Sequence, residues 1–308
     1  MEYMAAIPIY VAVVECGSFS AAATRLGLTK SAVSKRIQQL EAQLGTRLLQ
    51  RTTRSQSLTE AGESYYDYAR QALALAREGE DFIAGLQQKP QGLLRISVPM
   101  AFGRLHLSPL VPAFLQACPA IQLDMVMDDQ MVDLIEGGFD LAIRIGHLPE
   151  SQMIARRIAP CKSVLCASPA YLAQYGHPLQ PLDLLKHNCI QYSYYRGGTE
   201  WIFAGPAGAN KVLPRGNYHV NNSEALRDAL LAGVGICHMP TFVVGADLAA
   251  GSLVTLLDDY PLPRYAIYAV FPERKHVPAK VRAFLDFIDR QQWQDTPYWD
   301  NASDQKLF

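Results

Sequence analysis

Apolar positions recur at steps of three and four over the first third of the chain. Beyond residue 92 they shift to short runs and alternations, and that change divides the sequence. The first third predicts a helix over 7–15, with Ile9, Val11, Val13 and Val14 apolar and Pro8 near its start. A short helix over 18–26 buries Ala21, Ala22, Ala23 and Leu26, and Gly27 permits a sharp turn. A helix over 30–45 follows, capped by Thr29 or Ser31. Its apolar positions are Ala32 or Val33, Ile37, Leu40 and Leu44. Leu48 and Leu49 anchor a wing over 46–59. Thr59 then caps a long helix over 60–88. Tyr65, Ala69, Ala72, Ala76, Gly79, Ile83 and Leu86 form a heptad-like seam on it, and such a seam calls for a partner helix.

Residues 87–92 read as a hinge through Lys89, Pro90 and Gly92. The fold class expected beyond it is α/β. A strand over 93–98, a loop over 100–103, a helix over 104–117, a strand over 121–127, a short helix over 132–136 and a strand over 139–145 alternate as in a parallel sheet. A second lobe begins near Cys161. It has a strand in 162–168, a helix over 169–175, a strand over 189–192, a Gly- and Pro-rich run over 197–216, a short strand over 218–220 and a helix over 223–231. Residues 230–240 read as helix end, turn and strand. A strand over 265–271 returns to the first lobe, and an amphipathic helix over 278–291 buries Val281, Phe284, Leu285 and Ile288. The tail after Trp293 reads as mobile or as a contact between copies. The domain organisation is thus 1–59, a linker helix over 60–88, and 89–308, the last as lobe I (about 93–160 and 266–291) and lobe II (about 161–265).

Composition changes this picture mainly by exclusion. The chain is 308 residues long, 49% hydrophobic and 19% charged, with formal net charge -1, which describes an ordered globular protein. No stretch has the length and apolarity of a membrane span, and the N-terminal run lacks the pattern of a signal peptide, so a cytoplasmic location is expected. The six cysteines are scattered and make no disulfide framework. Cys161 and Cys166 have no second pair or nearby His at ligand spacing, so no metal and no cofactor is expected. The sequence has no GxGxxG after the strand at 94–98, no Walker run, no HExxH and no GxSxG, and His106 and Cys118 have no third group beside them. An enzyme is therefore not expected.

Charge is informative locally. Seven basic residues (Arg25, Lys30, Lys35, Arg36, Arg47, Arg51 and Arg54) lie between positions 25 and 54, with Glu41 as the one acid among them. Small residues where two helices cross, a glycine turn and a helix that starts with hydroxyls and bases define a helix-turn-helix aimed at duplex DNA. Ser20, Lys30, Ser31, Ser34, Lys35 and Arg36 are the candidate contacts of the helices. Arg51 and Arg54 are those of the wing, where phosphate or the minor groove is in reach.

The run GSFSAAATRLGLTKSAVSKRIQQLEAQLGTRLLQRTTRSQSLTEAG resembles the N-terminal module of the LysR-type transcriptional regulators, continuously from Phe19 to Gly62. It departs at Leu49 and Gln50, where that family often has an aromatic and a different polar residue. GFDLAIRIG, LCASPAYLA, NNSEALRDALLAGVGI and IYAVFPERKHVPAKVRAFLDF resemble the two-lobed, periplasmic-binding-protein-like effector domain of one large branch of the family. The resemblance implies self-association through the linker helix, as a homodimer and usually a homotetramer, and control by a small-molecule effector. RNA polymerase is a further candidate partner.

In such a domain, ligands sit beyond the C-terminal ends of strands, between the lobes. Lobe I would offer Met100, Ala101 and Phe102 at a helix start that favours an anion or carbonyl oxygen, with Asp128, Arg144 and His147 at strand ends. Lobe II would offer Tyr194 and Tyr195 from a loop and Asn221, Asn222 and Ser223 at another helix start. Each has a plainer role open to it: Arg144 as the partner of Asp140 or Asp128, Phe102 as packing under a helix, the asparagines as caps. The set points to a small aromatic or carboxylated effector. The competing reading is an architectural DNA protein without a ligand, which would have little sequence preference and no use for a two-lobed domain.

Overall fold

The chain is described by a computed structural model covering residues 2–51, 56–86, 89–146, 148, 153–194, 200–205, 208–272 and 277–300. Contacts divide it into two compact units, the first centred on Met1–Gln87 and the second on Gln88–Leu134 and Phe139–Phe308.

The first unit begins with a 3-10 turn, Glu2–Ala6, then α1 (Ile7–Cys16), α2 (Phe19–Leu26) and α3 (Lys30–Leu44). Ser18 caps α2 by accepting from Ala21 N–H, and Thr29 caps α3 by accepting from Ala32 N–H. Gly27 at φ +64 makes the turn between them. Ala22, Ala23, Val33, Ile37 and Leu40 are buried at the crossing. Leu44, expected inside, is 40% exposed, as the last residue of α3. A short antiparallel wing follows, β1 (Leu49–Arg51) and β2 (Gln56–Leu58), with Leu49 opposite Leu58 and both Leu48 and Leu49 buried. Then comes α4 (Glu60–Leu86), whose first turns join the same core through Tyr65, Tyr66, Ala69 and Leu73. The seam expected on α4 is corrected in part: Tyr65 and Ala69 face the unit's own core, whereas Ala72 and Gly79 lie, with Tyr68 and Leu75, on an exposed stripe at steps of four and three; the side chains of Ile83 and Leu86 lie outside the described residues.

The second unit opens with β3 (Gly92–Val98). It is followed directly by a helical stretch: α5 (Met100–Phe102), a π-helical turn (Gly103–Leu107), a 3-10 turn (Ser108–Leu110) and α6 (Val111–Ala117). The loop expected over 100–103 does not form. Pro99 sits in the extended conformation of a cap, and the Asp129 carboxylate accepts the Met100 N–H at 2.9 Å, so the helix begins at once. Pro109 and Pro112 lack the N–H that an unbroken α-helix needs, and the hydrogen bonding changes type around them. Next come β4 (Ile121–Met127), α7 (Leu134–Gly137), β5 (Leu141–Ile145) and β6 (Met153–Cys161).

Beyond β6 lie β7 (Ser163–Ala167), α8 (Pro169–Tyr175), a 3-10 turn (Pro181–Lys186), β8 (Gln191–Tyr192), β9 (Trp201–Gly205), β10 (Gly208–Val212) and β11 (His219–Val220). The chain continues through α9 (Ser223–Leu231), β12 (Cys237–Pro240), α10 (Thr241–Ala250), β13 (Val254–Leu256), β14 (Tyr265–Pro272) and α11 (Ala279–Asp289).

The main sheet has the order β4-β3-β5-β14-β6. Its first three strands are parallel, and β14 runs antiparallel to both β5 and β6. A second sheet, β12-β7-β13, is antiparallel throughout. Four features were not expected from the sequence. Strand β6 holds Arg156, Arg157 and Pro160, tolerable because β6 is the sheet's edge. The run over 197–216 contains the β9–β10 hairpin, which buries Trp201, Phe203 and Val212. Helix α10 is buried on most sides, so it has no polar face to betray its period. The tail after Trp293 is corrected as far as Asp300, beyond which it lies outside the described residues: Trp299, like Trp293, is a core residue, 5.9 Å from the Phe102 ring.

Candidate nucleic-acid and ligand sites

The start of α3 is an open, polar surface. Lys30, Ser31, Lys35 and Arg36 are exposed and Ser34 is half-buried. Ser31 Oγ lies 3.1 Å from Thr29 Oγ1, so the cap and the adjacent hydroxyl share one small network. The first-turn amides, with bases behind them, favour phosphate and leave the side chains on that turn to reach base edges. Ser20 is exposed on α2. Arg25 contributes less than its place in the basic run suggests, since its guanidinium is 2.6 Å from Glu15. Arg51 lies in β1, its side chain outside the described residues, and Arg54 lies outside them altogether.

In the second unit the cleft-side residues converge in part. Asn222 Oδ1 caps α9, accepting from Glu224 N–H (2.9 Å) and Ala225 N–H (3.0 Å), while its Nδ2 donates to Met100 Sδ at 2.9 Å. Gln130 Nε2 donates to Tyr194 Oη at 3.1 Å, and Asn221 Nδ2 reaches the same oxygen at 3.5 Å. Arg104 and Glu224 form a bidentate pair. Burial raises the Tyr192 phenol above its ordinary value, and its hydrogen bond to Asp129 adds to that. Asp128 accepts from Gln130 N–H at 2.9 Å. Ser223 is half-buried at the start of α9.

Other predicted residues lie elsewhere. Phe102 is 0% exposed and packs against Phe242, Trp293 and Trp299, so it is a core residue and not a cleft wall; Ala101 beside it is buried too. Arg144 is buried, its guanidinium donating to Ser97 Oγ (3.2 Å) and to the carbonyls of Ile143 (3.3 Å) and Val132 (3.4 Å). His147 and Tyr195 lie outside the described residues. Sequence reasoning passed over Tyr192, Gln130 and the Arg104–Glu224 pair. Tyr192 and Tyr194, two apart at the end of a strand, carried a usable signal; the pair across 120 positions did not.

The remaining chemistry is muted. Burial pushes the thiols of Cys161, Cys166 and Cys189 up to about 12, and that of Cys237 well above the ordinary value, which leaves them protonated and unreactive. Among the described residues no group of acids, histidines and cysteines is placed to hold a metal ion, and no helix is long and apolar enough to cross a membrane.

Two buried imidazoles make stability depend on pH. His106 donates from Nε2 to the Phe242 carbonyl (2.9 Å) and accepts from Tyr298 Oη at Nδ1 (2.7 Å). Burial lowers the pKa of His106 to about 4 and that of His238 to about 4, from the ordinary 6.5. Between those values the unfolded chain takes up protons that the folded one refuses, so the contribution of these two residues to stability falls as pH drops from 6.5 towards 4 and is level above 6.5. The thermal midpoint of the second unit should follow that course; one that holds steady down to about pH 5 would contradict it.

A capped, exposed second helix in a winged helix-turn-helix, in one chain with a two-lobed α/β body, defines a DNA-binding regulator with an effector domain. Comparison with known proteins agrees. Residues 4–63 match the bacterial regulatory helix-turn-helix protein model of the lysR family, and residues 87–293 match the LysR substrate binding domain. The chain belongs to the LysR family of transcriptional regulators, a family of DNA-binding regulators and not of enzymes. It is 38% identical to the HTH-type transcriptional regulator PtxR of Pseudomonas aeruginosa, covering 91% of this chain and 89% of that one. It is 35% identical to the probable HTH-type transcriptional regulator LtrA of Klebsiella pneumoniae, covering 92% of each. Among solved structures it resembles a full-length single-residue variant of AphB (30% identity, TM-score 0.71, 92% of this chain and 97% of that one). It also resembles CrgA of Neisseria meningitidis (33% identity, TM-score 0.61, 94% and 98%).

Proposed function

We propose that the protein is a sequence-specific regulator that reads a dyad-symmetric DNA site as a dimer or tetramer in the cytoplasm, under control of a small molecule bound between its lobes. The observation that carries DNA reading is the exposed start of α3, with Lys30, Ser31, Lys35 and Arg36 around the Thr29 cap. Lobe II meets lobe I through polar side chains, Asn222 to Met100 and Tyr194 to Gln130, which a ligand would replace as it enters. The effector acts only if it binds one arrangement of the lobes better than the other. RNA polymerase is the partner that an occupied promoter would present.

Of the two effector chemistries that the sequence suggests, the arrangement favours an aromatic compound over a carboxylate. The helix start that would hold an anion already has the Asp129 carboxylate on the Met100 N–H, and Asp128 stands beside it. Tyr192 and Tyr194, with ring centroids 6.1 Å apart, supply aromatic surface.

Selection of genomic fragments on the purified protein, with excess non-specific competitor, tests the reading. Recovery of a few sites with dyad symmetry supports it, whereas uniform retention leaves only the electrostatic attraction of any duplex. Lys35→Ala should weaken binding to a recovered fragment by roughly three- to tenfold and lower the slope of log affinity against log salt by about one, with the fold intact. An unchanged shift-assay titration would remove Lys35 from the interface.

A further inference from the structure

Glu41 is the one acid among the basic residues between positions 25 and 54. On a surface that meets phosphate a carboxylate is repelled, so its presence needs a compensating role. That role is visible in the fold. One oxygen, Oε1, accepts the N–H of Leu48 at 2.9 Å and the N–H of Leu49 at 3.1 Å, the two residues that lead into the wing. Charge-assisted bonds of this kind are short and strong. Thr59 holds the same backbone from the other side: its hydroxyl donates to the Arg47 carbonyl at 2.7 Å, and its N–H donates to the Leu48 carbonyl at 3.0 Å. That hydroxyl also accepts the Gly62 N–H at 2.9 Å, closing the first turn of α4. Gly62 passes so near that a Cβ there would stand 2.0 Å from the Leu48 oxygen, and its own carbonyl accepts the Tyr10 hydroxyl at 2.8 Å. Helix α3 and the start of α4 thus both bear on the backbone of residues 47–49, and α1 holds the first turn of α4 through Tyr10.

We infer that Glu41 is a positioning residue for DNA reading. Its carboxylate ties the root of the wing to the recognition helix, and Thr59 ties the same root to the first turn of α4. The strand that carries Arg51 therefore keeps a fixed place relative to α3, and a rotation of α4 reaches the wing through Thr59. The inference rests on α3 and the wing being the DNA-reading elements.

Two measurements on the full-length protein test it. In the first, hydrogen exchange at the Leu48 and Leu49 amides is followed without DNA. Glu41→Ala should speed it by about tenfold or more, and Glu41→Gln, which keeps a neutral acceptor in place, should leave it close to the parent rate. In the second, a fragment recovered by the genomic selection is footprinted in both grooves. Glu41→Ala should keep major-groove guanine protection from α3, lose minor-groove protection at the flanks, and bind about tenfold more weakly, while Glu41→Gln keeps both. Equal behaviour of the two variants, or tighter binding by both, would mean that the acid acts only through its charge and would overturn the inference. If Glu41→Ala does not fold, Thr59→Val carries the test from the other side of the root, with the same split expected; intact protection in both grooves counts against the inference. If the unaltered protein selects no fragment, the DNA reading fails, and amide exchange still decides whether Glu41 holds the wing.

Discussion

Phe102→Ala should destabilise the second unit by about 3–5 kcal/mol, the cost of removing a large aromatic side chain from a site that cannot collapse. The site cannot collapse because its lining is aromatic and comes from distant parts of the chain. Phe242 stands edge-on at 5.5 Å, Trp293 at 6.0 Å and Trp299 at 5.9 Å, with the His106 ring at 5.2 Å. No single helix shift fills a gap walled by α10 on one side and the C-terminal segment on another. Denaturant unfolding followed by tryptophan fluorescence reads the effect, since Trp201, Trp293 and Trp299 all belong to this unit. A loss below about 1 kcal/mol would show that the rings repack freely and that Phe102 is replaceable.

Leu75→Glu should have the largest effect on DNA binding, without touching DNA. Tyr68 is 72% exposed and Leu75 68%, an unusual state for large apolar side chains on one helix face. With Ala72 and Gly79 between and beyond them they make a stripe at coiled-coil spacing. If a second copy covers that stripe, a carboxylate in its middle separates the subunits, and each then binds its half-site alone. Losing the intramolecular second contact costs roughly 10²–10⁴ in affinity. Sedimentation should show the mass fall while the helical content stays. Unchanged mass and unchanged affinity would place the subunit contact elsewhere.

How much was legible in the sequence depended on how local the determining contacts were. The first unit was readable because its cues sit within a few residues of what they control: Ser18 and Thr29 as caps, Gly27 as a turn, Ala22 and Ala23 where helices cross, although Ala21, expected with them, is exposed. The seam on α4 was legible in period but only partly in phase, Ala72 and Gly79 being common to the expected and the exposed stripes. Two registers, one through Ala69 and one through Tyr68, both satisfy a heptad, and only the packing of α1 decides between them. The second unit lost more. Strand β6 hides behind Arg156 and Arg157, which an edge strand can hold in solvent or pair, as Arg156 does with Asp289. Helix α10 has no alternation to read because nearly all of it is inside; even Asp247 is buried there, paired with Arg227 at 2.5 Å.

The candidate ligand residues divide the same way. Asn222 announced itself as a cap and is one. Met100 was read as loop on the approach to a helix, and the helix instead begins at it, because Asp129 arrives from 29 positions away to accept its N–H. Phe102 reads identically in sequence whether it faces a cleft or a core. What decides is the C-terminal segment, which no local pattern connects to it. Glu41 was visible as an anomaly of charge, and only the backbone of Leu48 and Leu49 gave the anomaly a purpose.

The C-terminal segment also bears on where the effector domain ends. The family match stops at residue 293, yet Pro297 and Trp299 are buried beyond it and the Tyr298 hydroxyl donates to His106. A domain excised at the family boundary would leave an open hydrophobic trench over Phe102 and a histidine stripped of one of its two bonds. Such a truncation would be stickier than the intact protein, and with His106 less buried its pH dependence would be weaker, for reasons unconnected with its ligand. Ligand screens on an isolated domain therefore belong on a chain that runs through Asp300.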